Sequence, residues 1–277
     1  SGGPATEEEE QHRILVNVSP LMYGHGLLIP WGASCLPQRL SSRAIALALH
    51  VLTTRNDCGT SARDDDAGWF RLGFNSLGAF SSVNHLHLHL LFPHEAYPPS
   101  EEEEERRFGF PVERAGRRWR REIGDGAVWI DLLEWMVPCV SLQMVGRCND
   151  NDVTSEDFLQ KTVARFIQTL EEREIPHNVL FIPERKRQRR DRKGRERDDD
   201  GGVSSRIIII PRQPQHHFDS EAAGFNAALG EICGMVVMKS SRRFEECDEE
   251  DIVDWMTRFV ALEEEVVLEL VEALAVS

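Results

Sequence analysis

The sequence predicts an α+β protein, an antiparallel sheet with helices packed on it, for three reasons. Apolar runs of strand length alternate with turns marked by Gly and Pro from Arg13 to Phe92. Segments in both halves space their apolar residues by three and four, as an amphipathic helix requires. The second half repeats the mixture, so the sheet is expected to extend into a second, degenerate half. With 277 residues, 41% of them hydrophobic, the chain is long enough to bury a sizeable core.

Residues 1–12 are small and acidic, with Glu7 to Glu10 in a row, and are expected to be a disordered tail. Ser1-Gly2-Gly3-Pro4 carries neither an initiator Met nor an apolar signal core, which leaves native targeting partly hidden. Ile14-Leu15-Val16-Asn17-Val18 reads as a strand, Ser19-Pro20 and Tyr23-Gly24-His25-Gly26 as turns, and Leu27 to Pro30 as a second strand. Gly24-His25 is expected to be a turn whose imidazole hydrogen-bonds into the core. Pro37 opens a helix with Leu40, Ala44, Leu47, Ala48 and Val51 on one face. Asn56 to Ala67 reads as an exposed connection. Trp69 to Asn75 and Ser82 to Phe92 then form a hairpin around Ser76 to Ala79.

Glu101 to Glu105 is an acidic loop, and no regular structure is assigned from there to Asp125. A helix follows at Ser155 to Glu172, strands at Asn178 to Ile182 and Ser205 to Pro211, and helices at Ala222 to Cys233 and Asp248 to Leu274. The apolar face from Leu262 to Leu274 is expected to pack on the core. The chain thus divides into residues 13–125 and 126–277, the second half carrying a charged insertion at 184–200. That insertion reads as a polar hairpin connection, with a nuclear-import signal at Arg185 to Arg190 as the alternative.

Thirty-two Lys and Arg stand against 47 Asp and Glu, a formal net charge of −15, which argues against general affinity for nucleic acid. No apolar stretch approaches the ~20 residues that cross a bilayer. Six cysteines lie scattered without a CxxC pair, so neither a zinc ribbon nor a disulfide framework is expected, and a cytoplasmic location fits.

The chemistry-bearing segment is His85-Leu86-His87-Leu88-His89. On a strand, alternate side chains share a face, so the three imidazoles are expected on one side and Leu86, Leu88 and Leu90 on the other, against a core. A metal site would need partners from elsewhere in the chain, since no carboxylate stands beside the histidines at ligand spacing. Nucleophilic catalysis at phosphorus needs none, because a neutral imidazole attacks phosphorus at pH 7 when neighbouring donors orient it. No metal and no cofactor are expected.

This motif, following a small-residue hairpin, resembles the signature of the histidine-triad superfamily of nucleotide hydrolases and transferases. Further segments narrow the resemblance to the GDP-hexose phosphorylases: Tyr23-Gly24-His25-Gly26-Leu27, Cys35-Leu36-Pro37-Gln38-Arg39-Leu40, Phe70 to Ala79 and Ser82 to His87. Weaker similarity continues at Phe110 to Ala115, Pro176 to Phe181 and Phe225 to Gly234. The resemblance implies a two-step transfer of GMP from a GDP-hexose to inorganic phosphate. In it His87 is the nucleophile, with His85 and His89 contacting phosphate oxygens or fixing the tautomer of His87. It places Asn75 near the ribose and phosphate, Ser82 beside the α-phosphate, and Gly73 and Gly78 where backbone approaches the nucleotide. Asn84 is a further substrate-binding candidate, with a strand-end role as the alternative. Arg39 and Arg71 are expected in salt bridges.

His89 stands where the plant transferase branch typically carries Gln. That favours GDP-D-glucose over GDP-L-galactose as substrate and keeps hydrolysis as an alternative. A nucleotide-binding protein without turnover is the non-enzyme alternative, and a homodimer is left open.

Overall fold

The computed structural model describes residues 11–54, 70–93, 109–124, 126–144, 154–185 and 203–276. Residues 1–10 of the N-terminal tail, the 56–67 connection, the 101–105 acidic loop and most of the 184–200 insertion lie outside the described residues. The first half supplies β1 (Arg13–Val16), β2 (Gly26–Ile29), α1 (Ser42–Thr54), β3 (Arg71–Asn75) and β4 (Leu88–Leu91). The second half of the sheet begins before the expected boundary at 126, with β5 (Gly116–Ile123), and continues with β6 (Val128–Glu134), β7 (Cys139–Met144), α2 (Ser155–Glu172), β8 (His177–Arg185) and β9 (Val203–Pro211). Five helices close the chain: α3 (Ser220–Ala223), α4 (Leu229–Ile232), α5 (Ser241–Glu246), α6 (Glu249–Phe259) and α7 (Glu264–Val276). None of the helices is long and apolar enough to cross a membrane.

All nine strands form one antiparallel sheet in the order β1-β2-β4-β3-β8-β9-β7-β6-β5. Its topology repeats. β2, α1 and the β3–β4 hairpin bring β4 back beside β2, and β7, α2 and the β8–β9 hairpin bring β9 back beside β7. The halves meet where β3 pairs β8, with Asn75 opposite Asn178. The second half is thus the expected degenerate copy. Where β4 carries histidine, its counterpart β9 carries Ile207 to Ile210.

Both faces of the sheet are covered. Phe74, Val179, Phe181, Ile207 and Ile209 point to a core closed by α1, α2 and α7. Leu180, Ile182, Ile208 and Ile210 point to a second core closed by Phe218, Phe225, Leu229, Ile232 and Met256. Burial on both sides makes β9 a continuous apolar run instead of an alternating one. α2 starts where a capping box permits: Thr154 Oγ1 accepts from Asp157 N at 3.1 Å, and Asp157 Oδ2 accepts from Thr154 N at 3.3 Å.

The structure corrects the expected elements in five places. The helix expected to open at Pro37 begins only at Ser42, so Leu40 precedes it. The strand expected from Ser82 begins only at Leu88, so His85 and His87 precede it. β5 to β7 occupy a region where no strand was expected. Edge strand β5 is rich in arginine, and Arg120 and Arg117 pair with buried Asp131 on β6 at 2.6 and 3.3 Å. The expected helix at Ala222 to Cys233 is two short ones, because Gly224 turns into the left-handed region (φ 83°) and ends α3. The expected helix at Asp248 to Leu274 is broken between α6 and α7. There Gln213 N donates to Val260 O at 2.9 Å and Gln213 Nε2 to Ala261 O at 2.8 Å, and Ala261 bridges to Arg212.

Candidate active site

Four segments converge on the sheet face that carries the second core. The turn before β2 contributes His25. Gly24 takes φ 74°, and a Cβ there would lie 3.2 Å from the Phe92 ring, which makes glycine the residue that fits. Leu21 N donates to His25 Nδ1 at 3.0 Å. A backbone N–H can only donate, so Leu21 faces a lone pair on Nδ1, while Asn17 Nδ2, whose partner atom Oδ1 accepts from Ser19 N at 3.0 Å, lies 3.1 Å from His25 Nε2. That nitrogen lies 2.9 Å from His89 Nδ1. A single proton joins these two nitrogens, and the Nε2 of His89 faces Asn75 Nδ2 at 3.4 Å. The turn imidazole is hydrogen-bonded as expected, and it also reaches the third histidine of the motif.

His87, 5% exposed, stands just before β4, its ring 5.2 Å from that of His89 at 72°. Its Nδ1–H donates to the carbonyl oxygen of His85 at 2.8 Å. With Nδ1 protonated, neutral His87 presents a bare lone pair on Nε2. Burial lowers the pKa of His87, opposed in part by the His85 carbonyl. Burial also takes His25 down to about 4. His89 falls to about 3 through burial first and then the neighbouring His87 and His25. All three imidazoles are neutral at pH 7.

The expected arrangement of three imidazoles on one strand face is corrected here. His85 lies in a bend, supplies its carbonyl to His87, and buries its Nε2 without a hydrogen-bond partner. The imidazole that joins His87 and His89 comes from His25. Leu86 and Leu88 are buried in the opposite core, as expected, with Leu90 packed on it.

Asn75, at the end of β3, has its Nδ2 3.4 Å from His89 Nε2 and accepts from Asn178 Nδ2 at 2.6 Å through its Oδ1. Asn178 also donates to Ala79 O at 3.0 Å and so ties the turn after β3 to β8. Gly78 takes φ 79° in that turn, and a Cβ there would lie 3.1 Å from Pro176. Gly73 pairs with His89, but the space above it is taken by the protein itself. A Cβ on Gly73 would lie 2.4 Å from Leu229 Cδ2. Ser82 is exposed and makes no hydrogen bond among the described residues. Asn84 accepts from Gln38 N at 2.9 Å through its Oδ1. Arg71 forms the expected ion pair, its Nε and Nη2 each 2.9 Å from the carboxylate of Glu113.

Two residues without an expected role complete the site. Gln38, 2% exposed, accepts from His87 N at 2.9 Å and donates to Asn75 O at 2.9 Å and His87 O at 3.3 Å. Asn178 is fully buried. Both lie in segments that carry the family resemblance, and a buried amide inside an apolar run was the signal that could have found them. Among the described residues no cluster of His, Cys, Asp or Glu could hold a metal ion. An apolar cavity of about 790 Å³ adjoins His25, lined by Leu15, Tyr23, Val51, Phe70, Leu90 and Phe92 among others. Its walls hold no charged side chain, so it does not suit a phosphate.

An antiparallel sheet with a carbonyl-locked imidazole at the head of an inner strand is the arrangement that the resemblance to the histidine-triad class implies. Yeast Ap4A phosphorylase Apa2 bound to Ap4A has the same fold, with a TM-score of 0.52 at 16% identity over 91% of this chain and 73% of that one. Residues 2–91 match the family model "GDPGP1-like, N-terminal domain" and residues 132–273 the model "GDPGP1-like, C-terminal domain". The chain belongs to the GDPGP1-like family. It is 29% identical to GDP-L-galactose phosphorylase 1 of Arabidopsis thaliana, over 90% of this chain and 46% of that protein. It is 31% identical to GDP-D-glucose phosphorylase 1 of Homo sapiens, over 87% and 53%. The Danio rerio GDP-D-glucose phosphorylase 1 is 28% identical over 94% and 64%. The chain spans about half the length of most of these relatives.

Proposed function

We propose that this chain transfers GMP from a GDP-hexose to inorganic phosphate, giving GDP and hexose 1-phosphate. The observation that carries the proposal is the bond from His87 Nδ1 to His85 O, because it leaves Nε2 as an unprotonated nucleophile in a buried, neutral ring. In the first step Nε2 attacks the α-phosphorus. The N–P bond forms, the bond from that phosphorus to the bridging oxygen breaks, and hexose 1-phosphate leaves with the electron pair. The guanylylated imidazole is cationic and keeps Nδ1–H, so the same carbonyl bond strengthens as positive charge develops. A phosphate oxygen then attacks the α-phosphorus, the N–P bond breaks, and GDP is released.

His89, neutral and hydrogen-bonded to His25, stands beside the nucleophile with its ring 5.2 Å from that of His87. A neutral ring in that place adds no positive charge that would raise the protonation cost of the nucleophile or hold the leaving phosphate. His89 at the third triad position and the segment Phe225 to Gly234 favour GDP-D-glucose over GDP-L-galactose. The names of the relatives support the reaction class for both sugars.

The test is phosphate dependence. The purified protein is incubated with GDP-D-glucose, GDP-L-galactose or GDP-mannose, with and without inorganic phosphate, and the nucleotides are separated. GDP appearing only with phosphate, fastest from GDP-D-glucose, supports the proposal. GMP accumulating regardless of phosphate identifies a hydrolase and rejects it, and binding without any product rejects turnover.

A further inference from the structure

The β3–β4 ladder runs from Arg71 opposite Leu91 to Gly73 opposite His89 and stops there. Continued by two more residues in the same register, it would place Asn75 opposite His87. The backbone groups of those two residues are instead bridged by one side chain. Gln38 Nε2 donates to Asn75 O at 2.9 Å and to His87 O at 3.3 Å, and Gln38 Oε1 accepts from His87 N at 2.9 Å. A carboxamide has the donor and acceptor of a peptide unit, and here it occupies the place of one between two strands that have parted.

The parting has a chemical consequence. In a regular ladder a carbonyl points in the plane of the sheet while side chains stand out of it, so the carbonyl of residue i does not meet the ring of residue i+2. The bond from His87 Nδ1 to His85 O is made where the chain is off the ladder, with His85 in a bend and β4 beginning only at Leu88. Gln38 permits that departure without leaving buried backbone groups unpaired. Its own backbone is anchored to the same loop, with Gln38 N donating to Asn84 Oδ1 at 2.9 Å and Leu86 N to Leu36 O at 2.7 Å.

We propose that Gln38 is the positioning residue for the nucleophile, a peptide-mimicking amide that holds His87 off the ladder so that His85 O locks its Nδ1–H tautomer. The inference rests on the role given to His87 above. Gln38 touches no substrate and acts through the backbone of His87 and Asn75.

The test uses Gln38→Met and Gln38→Glu in the full chain. Gln38→Met keeps the length and removes both polar atoms. It is expected to lower kcat about 10- to 100-fold while KM changes less than about threefold, because aim and not binding is lost. In Gln38→Glu the ionised carboxylate repels the carbonyl oxygens of Asn75 and His87, whereas the protonated acid again offers one donor and one acceptor. The ratio of its kcat to that of wild type is therefore expected to rise as pH falls between about 8 and 5.5. A Gln38→Met kcat within about twofold of wild type, or a flat Gln38→Glu ratio, overturns the inference. If Gln38→Met does not fold, the Gln38→Glu ratio decides.

Nitrogen-15 NMR of the His87 ring separates this question from the reaction itself. Wild type is expected to show the Nδ1–H tautomer and Gln38→Glu at pH 8 a mixture. An unchanged tautomer in the variant overturns the positioning role even if wild type proves inactive on every GDP-hexose, an outcome that would count against the proposed function alone.

Discussion

His25 Nε2 and His89 Nδ1 lie 2.9 Å apart although 64 residues separate them in sequence. Three further groups hold the pair in place: Leu21 N donates to His25 Nδ1, Asn17 Nδ2 lies 3.1 Å from His25 Nε2, and Asn75 Nδ2 lies 3.4 Å from His89 Nε2. The second of the two imidazoles stands beside the nucleophile.

Removing His25 should take away the hydrogen-bond partner of His89 Nδ1 and leave the Leu21 amide unpaired. We expect His25→Ala to lower kcat about 10- to 100-fold. It should also destabilise the fold by about 1–3 kcal/mol, the cost of an unsatisfied buried donor. GDP production and urea unfolding check the two effects separately, and a kcat unchanged by the substitution would show that the bond to His89 is not needed for turnover.

Acid should unfold the protein through its buried imidazoles. Burial depresses His25 and His177 to about 4, and His89 reaches about 3, against 6.5 for the free group. The stability they confer is present above pH 6.5 and lost as pH falls toward those values, because the unfolded chain then binds the protons. Glu231 works the other way. Burial raises its pKa to about 7, so its contribution is present below the ordinary carboxyl value and lost as pH rises through 7. Glu231→Gln should therefore stabilise the protein at pH 8, by about 3 kcal/mol when the rise from 4.5 to about 7 is converted at 1.36 kcal/mol per pKa unit. Unfolding curves from pH 5 to 8 check both signs, and a Glu231→Gln protein no more stable at pH 8 would contradict the burial argument.

The approach of Leu229 to Gly73 should be measurable as strain. An added Cβ lies 2.4 Å from Leu229 Cδ2 and 3.1 Å from Leu91 Cδ1. Gly73→Ala is expected to cost about 1–3 kcal/mol, the range for overpacking a closed core. In a Leu229→Ala background the same substitution should cost less, and a double-mutant cycle reads the difference. Equal costs in both backgrounds would show that Leu229 is not what closes the space over Gly73.

Much of the scaffold is legible in the sequence where one local rule decides. α2 shows its apolar face at spacings of three and four, with Thr154 at its cap, and the Ile run of β9 announces a strand covered on both faces. Strand β5 escapes because a charged edge strand, with arginines neutralised by Asp131 from the next strand, lacks the apolar alternation that marks strands. The break between α6 and α7 is tertiary, imposed by Gln213 on Val260 and Ala261. At the site, the alternation of His and Leu from His85 to His89 signals a strand, and it correctly buries the leucines. It cannot signal that the ladder ends at His89, since that depends on Gln38, 49 residues from His87. For the same reason the third imidazole of the cluster comes from His25 and not from His85.

The most direct test of the account is to trap the intermediate. The protein is incubated with GDP-D-glucose in phosphate-free buffer, quenched at alkaline pH to preserve the N–P bond, and digested for mass spectrometry. The account predicts a GMP increment on the peptide bearing His87, discharged as GDP when inorganic phosphate is added, and absent from His87→Ala. A GMP adduct on another residue, or full phosphorolysis by His87→Ala, would contradict it.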